Sequence, residues 1–152
     1  MKRRYVAGFY TDGSRVALVE KIKPDWQRGK LNAIGGKIEE FDGNNPSTAM
    51  RREFMEETGV EYWDWVHTVT LVGPDYEVFF FVGRGNPSAC KQMEEERIIT
   101  ASVEALPSDC IPNLWWILPL SLDPDIQHPV IVKDVTMAGK GQTKTSSDSD
   151  SL

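Results

Sequence analysis

The chain has 152 residues, 40% of them hydrophobic and 10% aromatic, which suits one compact domain with a real core. Its net charge of -6 argues against a polyanionic nucleic-acid partner. Two histidines and two cysteines outside any CxxC pattern argue against a histidine-rich zinc site, so any metal is expected to rely on carboxylates, which favour magnesium or manganese. The charge is uneven: residues 1–52 hold 11 of the 17 Lys and Arg and balance at +5, while the remainder balances at -11. A basic first third can attract a small phosphate ester, or it can be ordinary scatter. The apolar stretch after Met1-Lys2-Arg3-Arg4 is too short for a signal core, and no run is long enough to span a membrane. A cytoplasmic protein with reduced, part-buried thiols at Cys90 and Cys110 is therefore expected.

In chain order, residues 4–10 and 15–21 read as two strands around the turn Thr11-Asp12-Gly13-Ser14. Lys23 to Lys30 reads as a polar loop. Leu31 to Ile34 is a short apolar run ending in Gly35-Gly36-Lys37, read as a loop, and a second loop covers Phe41 to Asn45. A helix is predicted from Pro46 to Thr58, with Asn45 as N-cap, Pro46 at the first helical position and Gly59 as the stop. Strands follow at Trp65 to Val72, Tyr76 to Val82 and Ile98 to Val103, with a turn over Gly83 to Pro87. A second helix is expected over Asn113 to Leu118, interrupted or ended by Pro119. The domain is drawn as 1–137. Residues 138–152, rich in Ser and Asp, are expected to form a disordered, solvated tail.

The chemistry is concentrated in Arg52-Glu53-Phe54-Met55-Glu56-Glu57-Thr58-Gly59. Residues three and four apart share a helix face, so Glu53, Glu56 and Glu57 converge. Three like charges near a helix C-terminus oppose both one another and the macrodipole. A bound divalent cation would compensate them; a solvated acidic face beside Met50 and Phe54 is the alternative. Gly35-Gly36-Lys37 lies just upstream. Its glycines permit close backbone approach, and Lys37 can reach a phosphate oxygen. Trp26, Tyr76, Trp115 and Trp116 could stack on a base or simply pack.

These residues resemble the Nudix family, whose box reads G-x5-E-x7-R-E-U-x-E-E-x-G-U with U a bulky apolar residue. Gly36 supplies the first glycine, and Arg52, Glu53, Phe54, Glu56, Glu57, Gly59 and Val60 match the second half. The likeness spans roughly residues 4–125, including Leu31 to Glu39 and Pro112 to Trp116. There is one departure. Two extra residues separate Gly36 from Arg52, and alignment from Arg52 puts Asn44 where the box has its first glutamate; Asp42, Glu39 or Glu40 could fold back instead.

The resemblance implies an α/β/α sandwich with a mixed β-sheet core. It implies a magnesium-dependent hydrolase, with Mn2+ as an alternative ion, acting on a diphosphate bond in a small nucleoside diphosphate derivative or nucleoside triphosphate. Glu56 and Glu57 would be the chief metal ligands, Glu53 a ligand or base, and the Gly36 region would add a carbonyl. Arg52 would orient the glutamates. Family members often recruit a later glutamate, for which Glu96 or Glu95 in the acidic turn Glu94-Glu95-Glu96 is the candidate. Asn44 keeps open a nucleotide-binding module with weakened catalysis. A diphosphate isomerase is disfavoured because neither cysteine has a recognisable catalytic setting.

Overall fold

A computed structural model describes residues 2–135. The disorder expected for 138–152, and the end of the 1–137 domain, lie outside the described residues. Strand β1 (Arg3–Thr11) and strand β2 (Arg15–Glu20) form the expected hairpin. Asp12 makes its turn, accepting the N–H groups of Ser14 at 2.9 Å and Arg15 at 2.8 Å. Next come β3 (Leu31–Asn32) and β4 (Ile34–Lys37). Gly35-Gly36-Lys37 is thus strand, not loop: Gly35 and Gly36 pair antiparallel with Ala7 and Val6. Alternation at this point is invisible because glycine has no side chain to carry it. The reason for glycine is steric, since a Cβ on Gly35 would stand 1.9 Å from the Val6 carbonyl oxygen.

Helix α1 (Pro46–Thr58) has the expected ends: Asn45 Oδ1 accepts the N–H of Ser47 at 2.9 Å and of Thr48 at 3.2 Å, and Gly59 closes it at φ 75°. Strands β5 (Val66–Val72), β6 (Tyr76–Arg84) and β7 (Arg97–Ser102) lie close to their expected places. Strand β6 carries two residues of the expected turn, Gly83 and Arg84, because β1 extends far enough to pair with both. Helix α2 (Leu114–Leu122) runs through Pro119 instead of ending there. A final strand, β8 (Val130–Lys133), has only four residues and no distinctive pattern, and sequence reading missed it.

The sheet is mixed, ordered β3-β2-β1-β6-β5-β8, with β4 also on β1 and β7 also on β2. β1 and β6 are parallel and lie inside it. Period-2 alternation sends Tyr5, Ala7, Phe9, Val16 and Leu18 to one face, where Leu114, Ile117 and Leu118 of α2 cover them. Val6, Tyr10, Ala17, Val19 and Ile34 go to the other face, under Ala49, Met50 and Phe54 of α1. The result is the expected α/β/α sandwich. A ring cluster fastens α1 down: Phe54 lies 4.8 Å from Tyr10 and 5.0 Å from Trp65, centroid to centroid. Trp115 and Trp116 instead stand on the outer side of α2, 48% and 42% exposed.

Burial pushes the thiols of Cys90 and Cys110 up to about 11, so both remain protonated at neutral pH. Among the described residues no helix is long and apolar enough to cross a membrane.

Candidate active site

Buried Ala49, Met50, Phe54 and Thr58 fix the rotation of α1 against the sheet. That rotation leaves Arg52, Glu53, Glu56 and Glu57 along the side of the helix nearest β4 and the loop before it. Arg52 is the hub. Its Nε and Nη2 bind Asp42 Oδ1 and Oδ2 at 2.8 and 2.9 Å, a fork-to-fork pair. Nη1 donates to Glu53 Oε2 at 3.1 Å and Glu56 Oε1 at 3.2 Å, and Nη2 also donates to the Lys37 carbonyl at 3.1 Å. Phe41 lies under the guanidinium, 5.0 Å from its ring centroid.

Asp42 is therefore the carboxylate of the preceding loop that pairs with Arg52. A single helical turn over Glu40–Asp42 brings it back, and the Glu39 N–H donates to Asp42 Oδ2 at 2.9 Å. Asn44 is exposed and left-handed at φ 55°, and among the described residues it offers only its backbone oxygen, to Arg4 at 3.2 Å. Glu39 caps the turn with its side chain, and Glu40 is exposed. Hydrogen bonds from Arg52 hold the Asp42 carboxyl below its ordinary range. The same bonds raise Arg52, which stays charged.

The glutamates behave differently. Burial raises Glu53, outweighing the attraction of Arg52, and the charge of Glu56 raises it further. Burial pushes Glu57 up to about 7, with Glu96 adding to the shift and Lys21 opposing it. Glu57 Oε2 is buried and has no hydrogen-bond partner among the described residues. Glu56 is exposed apart from its pair with Arg52.

Glu57, Gly36 and Lys37 open on a cleft of about 520 Å³, whose lining also includes Tyr5, Asn32, Lys21, Lys23 and Glu96. Gly36 is steric here: a Cβ on it would stand 2.4 Å from the Glu53 carboxyl group. Gly36→Ala is accordingly expected to displace Glu53 and lower turnover about ten-fold or more. Circular dichroism should show the fold retained; undiminished turnover would show that Glu53 need not sit over Gly36.

No curated protein matches the chain. The NUDIX domain model, however, matches residues 1–112, most of the chain. The chain belongs to the Nudix hydrolase family. That family is one of pyrophosphohydrolases, and the mixed sheet between two helices is its fold. Solved structures agree on the fold. A MutT NUDIX hydrolase from Burkholderia pseudomallei is 14% identical, with a TM-score of 0.66 over 80% of this chain and 98% of that one. A NUDIX-family hydrolase from Clostridium perfringens is 16% identical, with a TM-score of 0.64 over 83% and 99%. An ADP-ribose pyrophosphatase from Streptococcus suis is 14% identical, with a TM-score of 0.62 over 88% and 100%.

Divalent metal is typical of Nudix proteins, and the donors here suit it. Glu57 presents a buried oxygen lacking a partner, and hard oxygen donors fit Mg2+ or Mn2+. The side chains are not gathered as ligands: among the described residues no three Asp, Glu, His or Cys side chains stand together as a ready site. Glu53 and Glu56 point to Arg52 instead.

Of the sequence candidates, Gly36, Lys37, Glu57 and Glu96 line one cleft, and Glu53 sits over Gly36. Glu95 is exposed, and Trp26, Tyr76, Trp115 and Trp116 are not among the cleft's lining residues. Lys21, Lys23, Tyr5 and Asn32 were missed, their only trace for the lysines being the basic balance of residues 1–52.

Proposed function

We propose that this Nudix protein hydrolyses a diphosphate bond in a small nucleotide-like molecule, either a nucleoside triphosphate or a nucleoside diphosphate joined to another group, with Mg2+ as cofactor and Mn2+ as a substitute. The observation that carries the reading is the buried, unpartnered Glu57 oxygen on a cleft that also presents Gly36 and Lys37. Glu56 and Glu57, with Glu53 and the Gly36 carbonyl, would hold the ion. A divalent ion, when bound, neutralises the diphosphate and lowers the pKa of water.

Lys37 supplies a positive charge to a phosphate oxygen. Arg52 keeps Glu53 and Glu56 oriented, and is itself held by Asp42. Glu53 is the candidate proton acceptor on geometry, because its carboxyl group sits over Gly36, a residue of the cleft lining. The weakened binding module is disfavoured, since its motive was Asn44 and the carboxylate that engages Arg52 is Asp42.

The test is a panel of nucleoside triphosphates, nucleoside diphosphate sugars and ADP-ribose, the last because one structural neighbour is an ADP-ribose pyrophosphatase. Each is incubated with Mg2+, Mn2+ or chelator, and products are separated by chromatography. Metal-dependent cleavage between two phosphates is the expected result. Tight nucleotide binding without cleavage under any metal would favour the binding module.

A further inference from the structure

The β2–β7 ladder ends at the pair Glu20 and Arg97. One residue further along, Glu96 turns its carboxylate onto the chain leaving β2. Its Oε1 accepts Lys21 Nζ at 3.2 Å, and its Oε2 accepts the N–H groups of Ile22 at 2.7 Å and Lys23 at 3.4 Å. The pair is well shielded, with the Lys21 side chain 20% and that of Glu96 14% exposed. Backbone N–H groups beyond a ladder need acceptors, and a carboxylate serves two of them while holding an ammonium.

The segment so fastened is part of the cleft lining, through Lys21, Lys23 and Pro24. Lys21 is held by Glu96, whereas exposed Lys23 has no acidic partner among the described residues. Three of the roughly four acceptor sites of the Glu96 carboxylate are taken up by these contacts.

We propose that Glu96 is a positioning residue: it anchors the segment 21–23 so that Lys23, together with Lys37, receives the phosphates of the substrate. This rests on the reading that the cleft takes a diphosphate. Holding the segment in its bound arrangement beforehand spares the ordering entropy that binding would otherwise cost.

The experiment uses the full chain and magnesium pyrophosphate as probe, titrated calorimetrically, with Mn2+ affinity measured separately by electron paramagnetic resonance. Lys23→Ala and Glu96→Ala are each expected to weaken pyrophosphate binding roughly ten-fold, a loss in keeping with one charge-assisted contact. The double variant should be little weaker than either single one, because both remove the same contact. Glu96→Gln should stay within about three-fold of wild type, since an amide oxygen still accepts from Ile22 and Lys23. Mn2+ affinity should hold within about two-fold throughout, unlike the larger loss expected of a ligand.

A ten-fold loss of Mn2+ affinity in Glu96→Gln would make Glu96 a ligand and overturn the proposal. So would additive single losses, no effect of Lys23→Ala, or a hundred-fold fall in kcat of Glu96→Gln with pyrophosphate affinity unmoved. If Glu96→Ala does not fold, Glu96→Asp withdraws the carboxylate instead, with the same expectation. If no nucleotide in the panel is cleaved, the proposed reaction fails, while the pyrophosphate and Mn2+ titrations still decide the role of Glu96.

Discussion

Asp42→Ala is expected to destabilise the protein by about 3 kcal/mol and to cut turnover about 10–100-fold. Asp42 has 2% of its side chain exposed and Arg52 20%, so deletion of the carboxylate leaves a shielded guanidinium with two donors unmatched. It also removes the acceptor of the Glu39 N–H, which holds the preceding turn. The activity loss follows because Arg52 then loses the anchor that directs its other nitrogens at Glu53 and Glu56. Urea denaturation checks the first effect, and metal-titrated kinetics the second.

Asn44→Asp serves as contrast: at an exposed position that meets Arg52 nowhere, and with a side chain that also tolerates the left-handed backbone, it should shift stability by less than about 0.5 kcal/mol and leave metal dependence alone. The pH dependence has a defined sign. Asp42 is held below its ordinary range when folded, so its stabilisation is present above the unfolded carboxylate pKa and lost as pH falls through the folded one. Wild type and Asp42→Ala should therefore converge in stability in strong acid. A variant that melts with wild type at neutral pH would mean that Arg52 finds an equal partner elsewhere.

Glu57→Gln is expected to remove roughly a hundred-fold or more of the metal-dependent turnover, since the proposed ligand should matter at least as much as the outer groups that orient it. The same change should stabilise the metal-free fold at alkaline pH. In wild type, burial lifts Glu57 to about 7 when folded, against an ordinary value of 4.5. Below pH 4.5 the carboxyl is protonated in both states and has no linkage effect. Between that pH and about 7 the unfolded chain releases the proton more readily, so stability is progressively lost, and above 7 the loss is complete.

Metal-free wild type should consequently melt below Glu57→Gln at pH 8 and approach it at pH 4. Added Mg2+ should raise the melting temperature of wild type and much less that of the variant, because only the carboxylate gains from a cation. Equal magnesium-induced shifts in both proteins would remove Glu57 from the ligand set.

The sequence by itself determined the rail on which the site is built. Asn45, Pro46 and Gly59 mark the helix ends through local capping chemistry that needs no tertiary partner. The spacing of Met50, Phe54 and Thr58 then dictates which face is buried and hence where Glu53 and Glu57 lie. Along β1 and β2 both faces are apolar; that a helix covers each was implied by the family resemblance.

Other features depended on contacts distant in the chain. Gly35-Gly36-Lys37 is a strand because β1 lies beside it, and glycine carries no periodic signal of its own. Spacing pointed to Asn44 and could not show whether Asp42, Glu39 or Glu40 folds back; a turn over Glu40–Asp42 brings the Asp42 carboxylate within reach of a guanidinium ten residues on. Among the described residues, the short strand β8 pairs with β5. Lys21 and Lys23 enter the cleft because Glu96, 75 and 73 residues away, binds the chain that carries them. Local propensity reaches a few residues along the chain, whereas ion pairs and ladder partners act through space, so the helix glutamates were legible in sequence and the walls around them were not.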